Sequence, residues 1–377
     1  MTYLIFIINI LLIFQLSPCF SEERLSCCDA VPSRFTANDN SLAEPKDDYS
    51  KNPQTEGMVW IPAGEFTMGG EVADFMQKWP KQARSRNDER PLHSVKLSGF
   101  WISETPITNK QFKEFVSATG YITTAEIAPK LEEILPLLPP NTPPPSEELL
   151  VAASLVFNPP KGPVPLNNAL VWWEWKAGAS WQRPEGPGSS INNRLDHPVV
   201  HISYFDAEAY AKWKGMNLPT ESQWEYAARG GLDSKHFVWG DIPLSEDEPN
   251  INIWQGNFPN ENTLVDGFLT TSPVKYFKPN GYGLYDMSGN VWEWVADWYH
   301  ISAYEQRINS NGGIVNPKGP DKSYDPQEPH LSKRVIRGGS FLCNDSYCSG
   351  YRPAARMRNS PDTSTNHTGF RIVKNID

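Results

Sequence analysis

The sequence predicts a single α+β domain with short strands, few helices and long loops. The 377 residues include 34 Pro and 26 Gly, which interrupt regular structure along the chain. Trp and Tyr are abundant, with 14 of each, and supply large aromatic groups for a core. No repeat with a fixed short period is visible. This mixture argues against a regular helical or doubly wound architecture.

The chain is predicted to begin with a secretory signal peptide over residues 1–21. Residues 3–16 are nearly all apolar, and a polar, acidic stretch starts at Ser21. The apolar run is short for a membrane span, which disfavours the alternative of an uncleaved anchor. A lipoprotein signal that uses Cys19 is a second alternative, but Pro18 fits that signal poorly. The signal indicates an extracytoplasmic protein.

Residues 22–57 are predicted to form a flexible polar arm. They are rich in Ser, Asp, Glu and Asn and lack periodic apolar positions, so they offer no face to a core. The arm contains the adjacent pair Cys27 and Cys28, which cannot easily bridge each other. External pairing and an incidental free thiol both remain open for this pair.

The folded domain is predicted over residues 58–377. It opens with strand patterns in which apolar and polar residues alternate and Gly marks the turns. These patterns occupy residues 58–62, 64–70 and 93–102.

Three helices are predicted after these strands. The first follows the N-cap Thr108 and ends at Gly120, with its apolar side chains on one face. The third has Thr220 as its N-cap and ends at Gly230. The predicted ranges are 109–119, 206–214 and 221–229.

A Pro-rich insertion is predicted near residues 127–169. Repeated Pro residues indicate an extended surface loop, with a short helix possible around residues 147–155. The sequence does not indicate a function for this insertion.

Cys343 and Cys348 are the only cysteines after residue 28. A pair five positions apart closes too short a loop to stabilise the domain much, which favours a chemical role. At this spacing the side chains point apart on a strand or a helix, so the sulfurs converge only if the chain bends. Converging sulfurs either form a disulfide or hold a soft metal, and two thiolates without a nearby His favour Cu(I).

The segment around these cysteines resembles the active-site segment of formylglycine-generating enzymes, the sulfatase-modifying factors. It runs from Arg337 to Arg352 and continues to Arg371. The resemblance spans about residues 58–373 and implies the fold of that family, whose core is similar to C-type lectins. Similar blocks in the same order are WIPAGEFTMG at 60–69, DHPVVHIS at 196–203, LPTESQWEY at 218–226, NIWQG at 252–256 and NGYGLYDMSGNVWEW at 280–294.

The resemblance implies a copper-dependent oxidase. Such an enzyme uses O2 and a thiol reductant to convert the cysteine of a Cys-x-Pro-x-Arg motif into Cα-formylglycine. Its substrate is an unfolded or nascent sulfatase polypeptide. Cys343 and Cys348 would bind Cu(I), and Ser340 and Tyr347 would be active-site hydroxyls that position oxygen or the substrate thiol. The alternatives are a turn residue at Ser340 and a structural disulfide between the cysteines.

The resemblance also implies two structural Ca²⁺ sites. Hard Ca²⁺ prefers carboxylate and carbonyl oxygens from irregular, Gly-containing loops, which these segments offer. Solvated acidic turns are the alternative interpretation. The first site comprises Asn252, Ile253, Asp266 and Phe268, and the second comprises Asp286, Gly289, Val291 and Glu293.

Other residues with candidate chemistry are assigned structural roles. His197 and His201 have the spacing of a metal pair, but we place them on a strand and expect a core or hydrogen-bonded role. We expect Arg352 and Arg356 in ion pairs within the fold. Residues expected in the core or the cleft wall are Trp292, Trp294 and Trp298.

The chain departs from animal members of the resembled family. The matching positions of their further disulfides hold Ala211, Ala228, Pro353 and Ile372. This is similar to microbial members and favours a periplasmic or secreted bacterial enzyme, with the endoplasmic reticulum lumen as the alternative. Animal members also carry cysteines in the arm, so Cys27 and Cys28 could serve as a handle for a partner oxidoreductase or a covalent dimer.

Asn344 is a second departure, since animal members often have His at this position. Asn344 and Asn366 each begin a glycosylation sequon. Sugar on Asn344 would block the cleft, so we expect this sequon to be unoccupied.

Composition and chain organisation disfavour the other classes of function. The net charge of −10 argues against a nucleic-acid partner. A calcium-stabilised, lectin-like binding module is the main alternative, but it would not need the cysteine pair. Iron-dependent enzymes that form carbon–sulfur bonds would need a helical, His-rich partner domain, for which the arm before Met58 is too short. We expect a monomer or a weak dimer.

Overall fold

The computed structural model describes residues 55–79, 87–135, 143–245, 250–308 and 314–376. The predicted signal peptide, Cys19 and almost all of the predicted arm, with Cys27 and Cys28, lie outside these ranges. None of the helices in the described ranges is both long and apolar enough to cross a membrane.

Strands in the described part of the chain are short, with three to seven residues each. They are β1 Met58–Ile61, β2 Gly64–Met68, β3 His93–Leu97, β4 Phe100–Ser103, β5 Ala153–Phe157, β6 Trp173–Ala177, β7 Trp292–Trp298, β8 Arg334–Arg337, β9 Met357–Asn359, β10 Thr368–Phe370 and β11 Val373–Asn375. The helices are α1 Asn109–Thr119, α2 Leu131–Ile134, α3 Tyr204–Trp213, α4 Glu221–Arg229 and α5 Ala303–Ile308. The predicted loop-rich α+β class is confirmed.

Within the described residues these strands form four small sheets. One sheet, which anchors the segment with the two cysteines, has the order β10-β7-β8-β9. In it β10 is parallel to β7, and the other neighbours are antiparallel. The remaining sheets are β1-β4-β11, β2-β3 and β5-β6. The connection between β8 and β9 carries both Cys343 and Cys348. The cysteines therefore lie on a loop anchored at both ends by neighbouring strands.

Helix boundaries follow local capping chemistry. Thr108 and Gln111 form a reciprocal capping box at the start of α1, and Gly120 ends it at a φ of 66°. Thr220 begins α4 in the same way. Helix α3 begins at Tyr204, two residues before the predicted start, because Ser203 is its N-cap and Asp206 completes that capping box.

The predicted helix around residues 147–155 is wrong. A single 3-10 turn at Glu147–Leu149 is followed by strand β5, which pairs with β6. Ser154 on β5 is fully buried, and its Oγ lies 2.8 Å from the carbonyl oxygen of Ser364. Part of the Pro-rich insertion is therefore built into the interior instead of forming surface loop throughout.

Aromatic side chains fill the interior. Trp292 and Trp294 on β7 are fully buried, as predicted, whereas Trp298 is half-buried beneath the Arg334 guanidinium. The other fully buried tryptophans are Trp172, Trp181, Trp224 and Trp254. The long loops can be held in place because large aromatic rings, more than backbone pairing between strands, supply the contacts that pack them together.

Candidate active site

Two glycines turn the chain from β8 into the cysteine loop. Gly338 and Gly339 have φ values of 93° and 74°, in the left-handed region that favours glycine. A Cβ on Gly338 would lie 2.9 Å from the Trp224 ring, and one on Gly339 would lie 2.6 Å from the backbone nitrogen of Tyr351. A side chain at Gly338 would push the loop away from Trp224, and one at Gly339 would collide with the returning part of the same loop.

The two cysteine sulfurs converge, as a bent loop predicts. The Sγ atoms of Cys343 and Cys348 lie 2.8 Å apart, and no disulfide joins them. The exposed fractions are 0% and 3%, so the dithiol is enclosed by protein. Backbone bonds hold both residues, from Cys343 N to Ser340 O (2.9 Å) and from Cys348 N to Asn344 O (2.8 Å).

Ser340 and Tyr347 flank the dithiol along this loop. Both are buried. The Ser340 Oγ accepts from Leu342 N over 3.3 Å, so its hydroxyl also takes part in the turn, which keeps the turn interpretation open. The Tyr347 ring stacks on Phe258, with centroids 4.8 Å apart, and meets Trp172 edge-on. These contacts fix the position of the Tyr347 ring.

An aromatic wall surrounds the cysteine loop. Trp254 packs edge-on against Phe258, and its backbone nitrogen donates to the Cys343 carbonyl over 3.0 Å. The buried indole nitrogens of Trp172, Trp254 and Trp292 find no acceptor among the described residues. Sequence reasoning placed Trp292 in the core or cleft wall but missed Trp172, Trp254 and Phe258 as neighbours of the site, because only the fold brings these segments together.

The first predicted calcium group is brought together by the fold. Asp266 accepts from the backbone nitrogens of Ile253 (3.2 Å) and Phe268 (2.9 Å). Burial raises the pKa of Asp266. The Asn252 Oδ1 is buried and has no hydrogen-bond partner among the described residues, while its Nδ2 donates to the Thr270 carbonyl. A buried amide oxygen without a donor suits a hard cation, although the Asp266 carboxylate also accepts from Gln255 Nε2 over 2.9 Å.

The second predicted calcium group is engaged by protein partners. Both carboxylate oxygens of Glu293 bind Arg371, at 2.6 and 2.8 Å, and one also accepts from Trp224 Nε1. Asp286 accepts from the backbone of Lys275 and from Asn290, and burial raises its pKa to about 6. Among the described residues, no cluster of three or more His, Cys, Asp or Glu side chains is placed to hold a metal.

Asn290 connects both predicted calcium groups to the cysteine loop. Its backbone nitrogen donates to the Asn252 carbonyl over 2.8 Å, and its carbonyl accepts from Phe341 N over 3.0 Å. Its side chain donates to Asp286 over 3.1 Å. Sequence reasoning missed this residue, because an Asn in a Gly-rich turn carries no chemical signal of its own.

Comparison with known proteins assigns the family. Residues 45–376 match the domain described as sulfatase-modifying factor enzyme 1-like. The chain belongs to this family. A formylglycine-generating enzyme of Thermomonospora curvata is 45% identical over 330 residues, which cover 86% of this chain and 95% of that protein. The resemblance inferred from the sequence blocks is therefore confirmed.

The sulfatase-modifying factor family includes relatives with different names. An inactive Cα-formylglycine-generating enzyme 2 of Bos taurus is 35% identical over 329 residues, covering 85% of this chain and 89% of that protein. The structure of PvdO from Pseudomonas aeruginosa shares the fold, with a TM-score of 0.53 and 23% identity over 85% of this chain and 94% of that one. Family membership alone does not settle activity, so the site geometry matters.

His197 and His201 are hydrogen-bonded within the fold, as predicted, but the strand predicted for them is wrong. His201 has a φ of 59°, which breaks any extended run through this segment. Its Nε2 lies 2.8 Å from the Pro184 carbonyl and its Nδ1 lies 2.6 Å from Ser154 Oγ. His197 Nδ1 lies 3.0 Å from the Thr271 hydroxyl. Both rings therefore have hydrogen-bonded roles.

The two arginines after the cysteines form ion pairs within the fold, as predicted. Arg352 binds Glu89 through two bonds of 2.8 Å. Arg356 binds Glu221 at 2.6 and 3.1 Å. All four side chains are buried. They hold the chain that follows the dithiol and are not available to a peptide.

Proposed function

We propose that this chain converts the cysteine of a Cys-x-Pro-x-Arg motif in sulfatase polypeptides into Cα-formylglycine. The observation that carries the proposal is the convergence of the two buried sulfurs of Cys343 and Cys348, which lie 2.8 Å apart. The family supports it, since the Thermomonospora curvata relative bears the name of this enzyme. A lectin-like binding module has no use for a buried dithiol.

The cysteine pair fits Cu(I) by the chemistry of its donors. Thiolates are soft ligands that select Cu(I), and Cys343 and Cys348 would hold it. Bound copper supplies the one-electron chemistry with O2 that side chains lack.

The residues of the chain have the remaining tasks. The aromatic wall excludes water from the dithiol and from a substrate thiol that lies against it. Tyr347, held by Phe258 and Trp172, offers a phenol at a fixed place, and Ser340 offers a buried hydroxyl. We assign these two hydroxyls to positioning of the substrate thiol or of oxygen.

The reaction requires a reductant. The reaction turns the thiol-bearing methylene of the substrate cysteine into an aldehyde and consumes one O2 and two further hydrogen atoms. It releases hydrogen sulfide and water. The substrate carbon gives two electrons, and an external dithiol or a pair of thiols gives the other two and becomes a disulfide. A sulfatase polypeptide, O2 and a thiol reductant are therefore the proposed partners.

Calcium is proposed as a structural ion at the Asn252 and Asp266 group, supported by the orphaned Asn252 Oδ1. The second group, around Asp286 and Glu293, rests on the resemblance alone. An extracytoplasmic location is proposed from the apolar run at residues 3–16.

A peptide assay tests the proposed function. The full chain, loaded with Cu(I), is incubated with a Cys-x-Pro-x-Arg peptide, thiol and O2, and the peptide mass is followed. We expect the mass loss that corresponds to replacement of the thiol-bearing methylene by an aldehyde, and none without O2. Matched peptides with Ser for Cys and Ala for Pro control for the motif. No mass loss with folded, copper-loaded protein would contradict the proposal.

A further inference from the structure

Asn344, between the two cysteines, makes the contacts that close their loop. Its Oδ1 accepts from Tyr347 N over 3.0 Å and from Ser346 Oγ over 2.9 Å. Its backbone carbonyl accepts from Cys348 N over 2.8 Å. The exposed fraction of Asn344 is 5%, so water does not readily replace these partners.

These bonds reverse the chain between the sulfurs. A run of five residues in a strand or a helix would point the Cys343 and Cys348 side chains apart. Asn344 and Cys348 instead face each other as an isolated antiparallel bridge. An Asn side chain that accepts from a backbone nitrogen further along stabilises such a turn, because it takes the place of a backbone acceptor.

The residue type matters for this arrangement. An amide oxygen has two lone pairs and accepts from Tyr347 N and Ser346 Oγ together. A His at this position would have a single acceptor nitrogen when neutral and could not reproduce both bonds at one atom. The two bonds therefore need a side-chain oxygen at this position, such as that of Asn or Asp.

We propose that Asn344 is the positioning residue of the dithiol. It acts by holding the 343–348 loop in the conformation that brings the two sulfurs together. The inference concerns the two thiols themselves, and only its effect on turnover rests on the proposed function.

Thiol–disulfide exchange without metal tests this role. The full chain is equilibrated with reduced and oxidised glutathione, so that two protein thiols become one disulfide while one oxidised glutathione becomes two reduced molecules. The equilibrium constant reports how well the loop presents the sulfurs to each other. Trapping of thiols with an alkylating agent, followed by mass spectrometry of the Cys343–Cys348 peptide, gives the two populations.

Asn344→Ala should lower this equilibrium constant about tenfold, since the two side-chain hydrogen bonds that close the loop are lost. Ser346→Ala removes one of the two bonds and should give an intermediate value. Asn344→Asp keeps both acceptors and should stay near the wild type. Circular dichroism and the melting temperature establish that each variant is folded.

The outcomes separate this inference from the proposed function. An unchanged equilibrium constant in folded Asn344→Ala would overturn the positioning role. If that variant does not fold, the role is overturned when Asn344→Asp falls far below the wild type or Ser346→Ala equals it. None of these measurements depends on copper or on turnover. In the peptide assay, we expect a lower kcat with little change in KM for Asn344→Ala, and rescue by Asn344→Asp.

Discussion

His201 is held as a neutral ring inside the protein. It is fully buried, and its two nitrogens face the Pro184 carbonyl and the Ser154 hydroxyl. Because the carbonyl can only accept, Nε2 donates to it, and Nδ1 accepts from the hydroxyl. Burial lowers the pKa of His201 to about 4, since a charged ring would lose its hydration.

His201 should therefore make stability depend on pH. In the unfolded chain an ordinary His takes up a proton below about pH 6.5, whereas the folded protein resists until about pH 4. The unfolded state binds more protons across this window, so the contribution of His201 to stability is lost as pH falls from 6.5 towards 4. The ceiling is on the order of 3 kcal/mol, at 1.36 kcal/mol per pKa unit.

His201→Gln should reduce this pH dependence. Urea unfolding at pH 7 and pH 5 gives the difference in free energy of unfolding for each protein. We expect a smaller difference for His201→Gln than for the wild type. Val199→Ala, a neighbouring core change without a titratable group, should keep the wild-type difference. Equal differences in all three proteins would show that His201 is not held neutral.

At the scale of single residues, the role of a side chain could be predicted from the sequence better than the residues that surround it in the fold. A hydrogen-bonded role for His201 followed from the lack of acidic or cysteine partners nearby. Its positive φ could not be predicted, because it depends on distant contacts with residues such as Ser154 and Thr365. Asn344 and Asn290 were likewise missed, since their importance lies in backbone partners that the sequence does not show.

At the scale of elements, the cysteine loop is pressed against strand β7. Gly350 lies over the Trp292 ring, and an added Cβ would overlap that ring and come within 3.2 Å of the Cys343 sulfur. Since the ring is part of a closely packed core, it has little room to yield.

Gly350→Ala should disturb both the packing and the dithiol. We expect a loss of about 1–3 kcal/mol in the free energy of unfolding, the usual cost of overpacking, together with slower aldehyde formation. The matched control is Gly162→Ala, where an added Cβ meets nothing within 4 Å. Denaturant unfolding and the peptide assay provide the two readouts. A Gly350→Ala protein indistinguishable from the control would contradict this packing argument.

The loop that carries Asn252 and Asp266 should respond to calcium. A ligand that binds only the folded state stabilises it by about 2.7 kcal/mol at roughly one hundred times its Kd. We expect the melting temperature to fall by several degrees when calcium is chelated. Asn252→Ala should abolish most of this difference, while the exposed Asn193→Ala should preserve it. An equal response to chelation in Asn252→Ala would exclude this group as the calcium site.

Locally encoded elements were predictable, and elements that depend on pairing were not. Helices α1 and α4 begin at Thr caps and end at Gly, signals that lie within the helix itself. Strand β5 owes its existence to pairing with β6 and to burial of Ser154, both of which involve distant residues. A local interpretation of residues 147–155 therefore favoured a helix wrongly.

At the scale of the whole molecule, buried ion pairs connect helix α4 to the chain on both sides of the cysteines. Glu225 on α4 binds Arg337 at the end of β8 and Arg229 on its own helix. Glu221 binds Arg356, beyond the cysteines, and Arg337. Removing one partner of a buried pair leaves an uncompensated charge, which typically costs about 3–5 kcal/mol. The dithiol loop is thus fixed at both ends by charges whose partners lie on one helix.

The fold of the whole molecule could be predicted because several sequence blocks occur in a fixed order. The cysteine pair could be predicted because the spacing and isolation of Cys343 and Cys348 are unusual. The aromatic wall around them could not, since Trp172, Trp254 and Phe258 come from segments far from the cysteines in sequence.

The most direct measurement compares wild-type protein with Cys343→Ser and Cys348→Ser on one Cys-x-Pro-x-Arg peptide. Each protein is treated with Cu(I), thiol and O2, and aldehyde is quantified by mass spectrometry after its folding has been checked by circular dichroism. We predict formylglycine with the wild type and none with either folded variant. Full conversion by either variant, or none by folded, copper-loaded wild type, would contradict the assignment of Cys343 and Cys348 as the active centre.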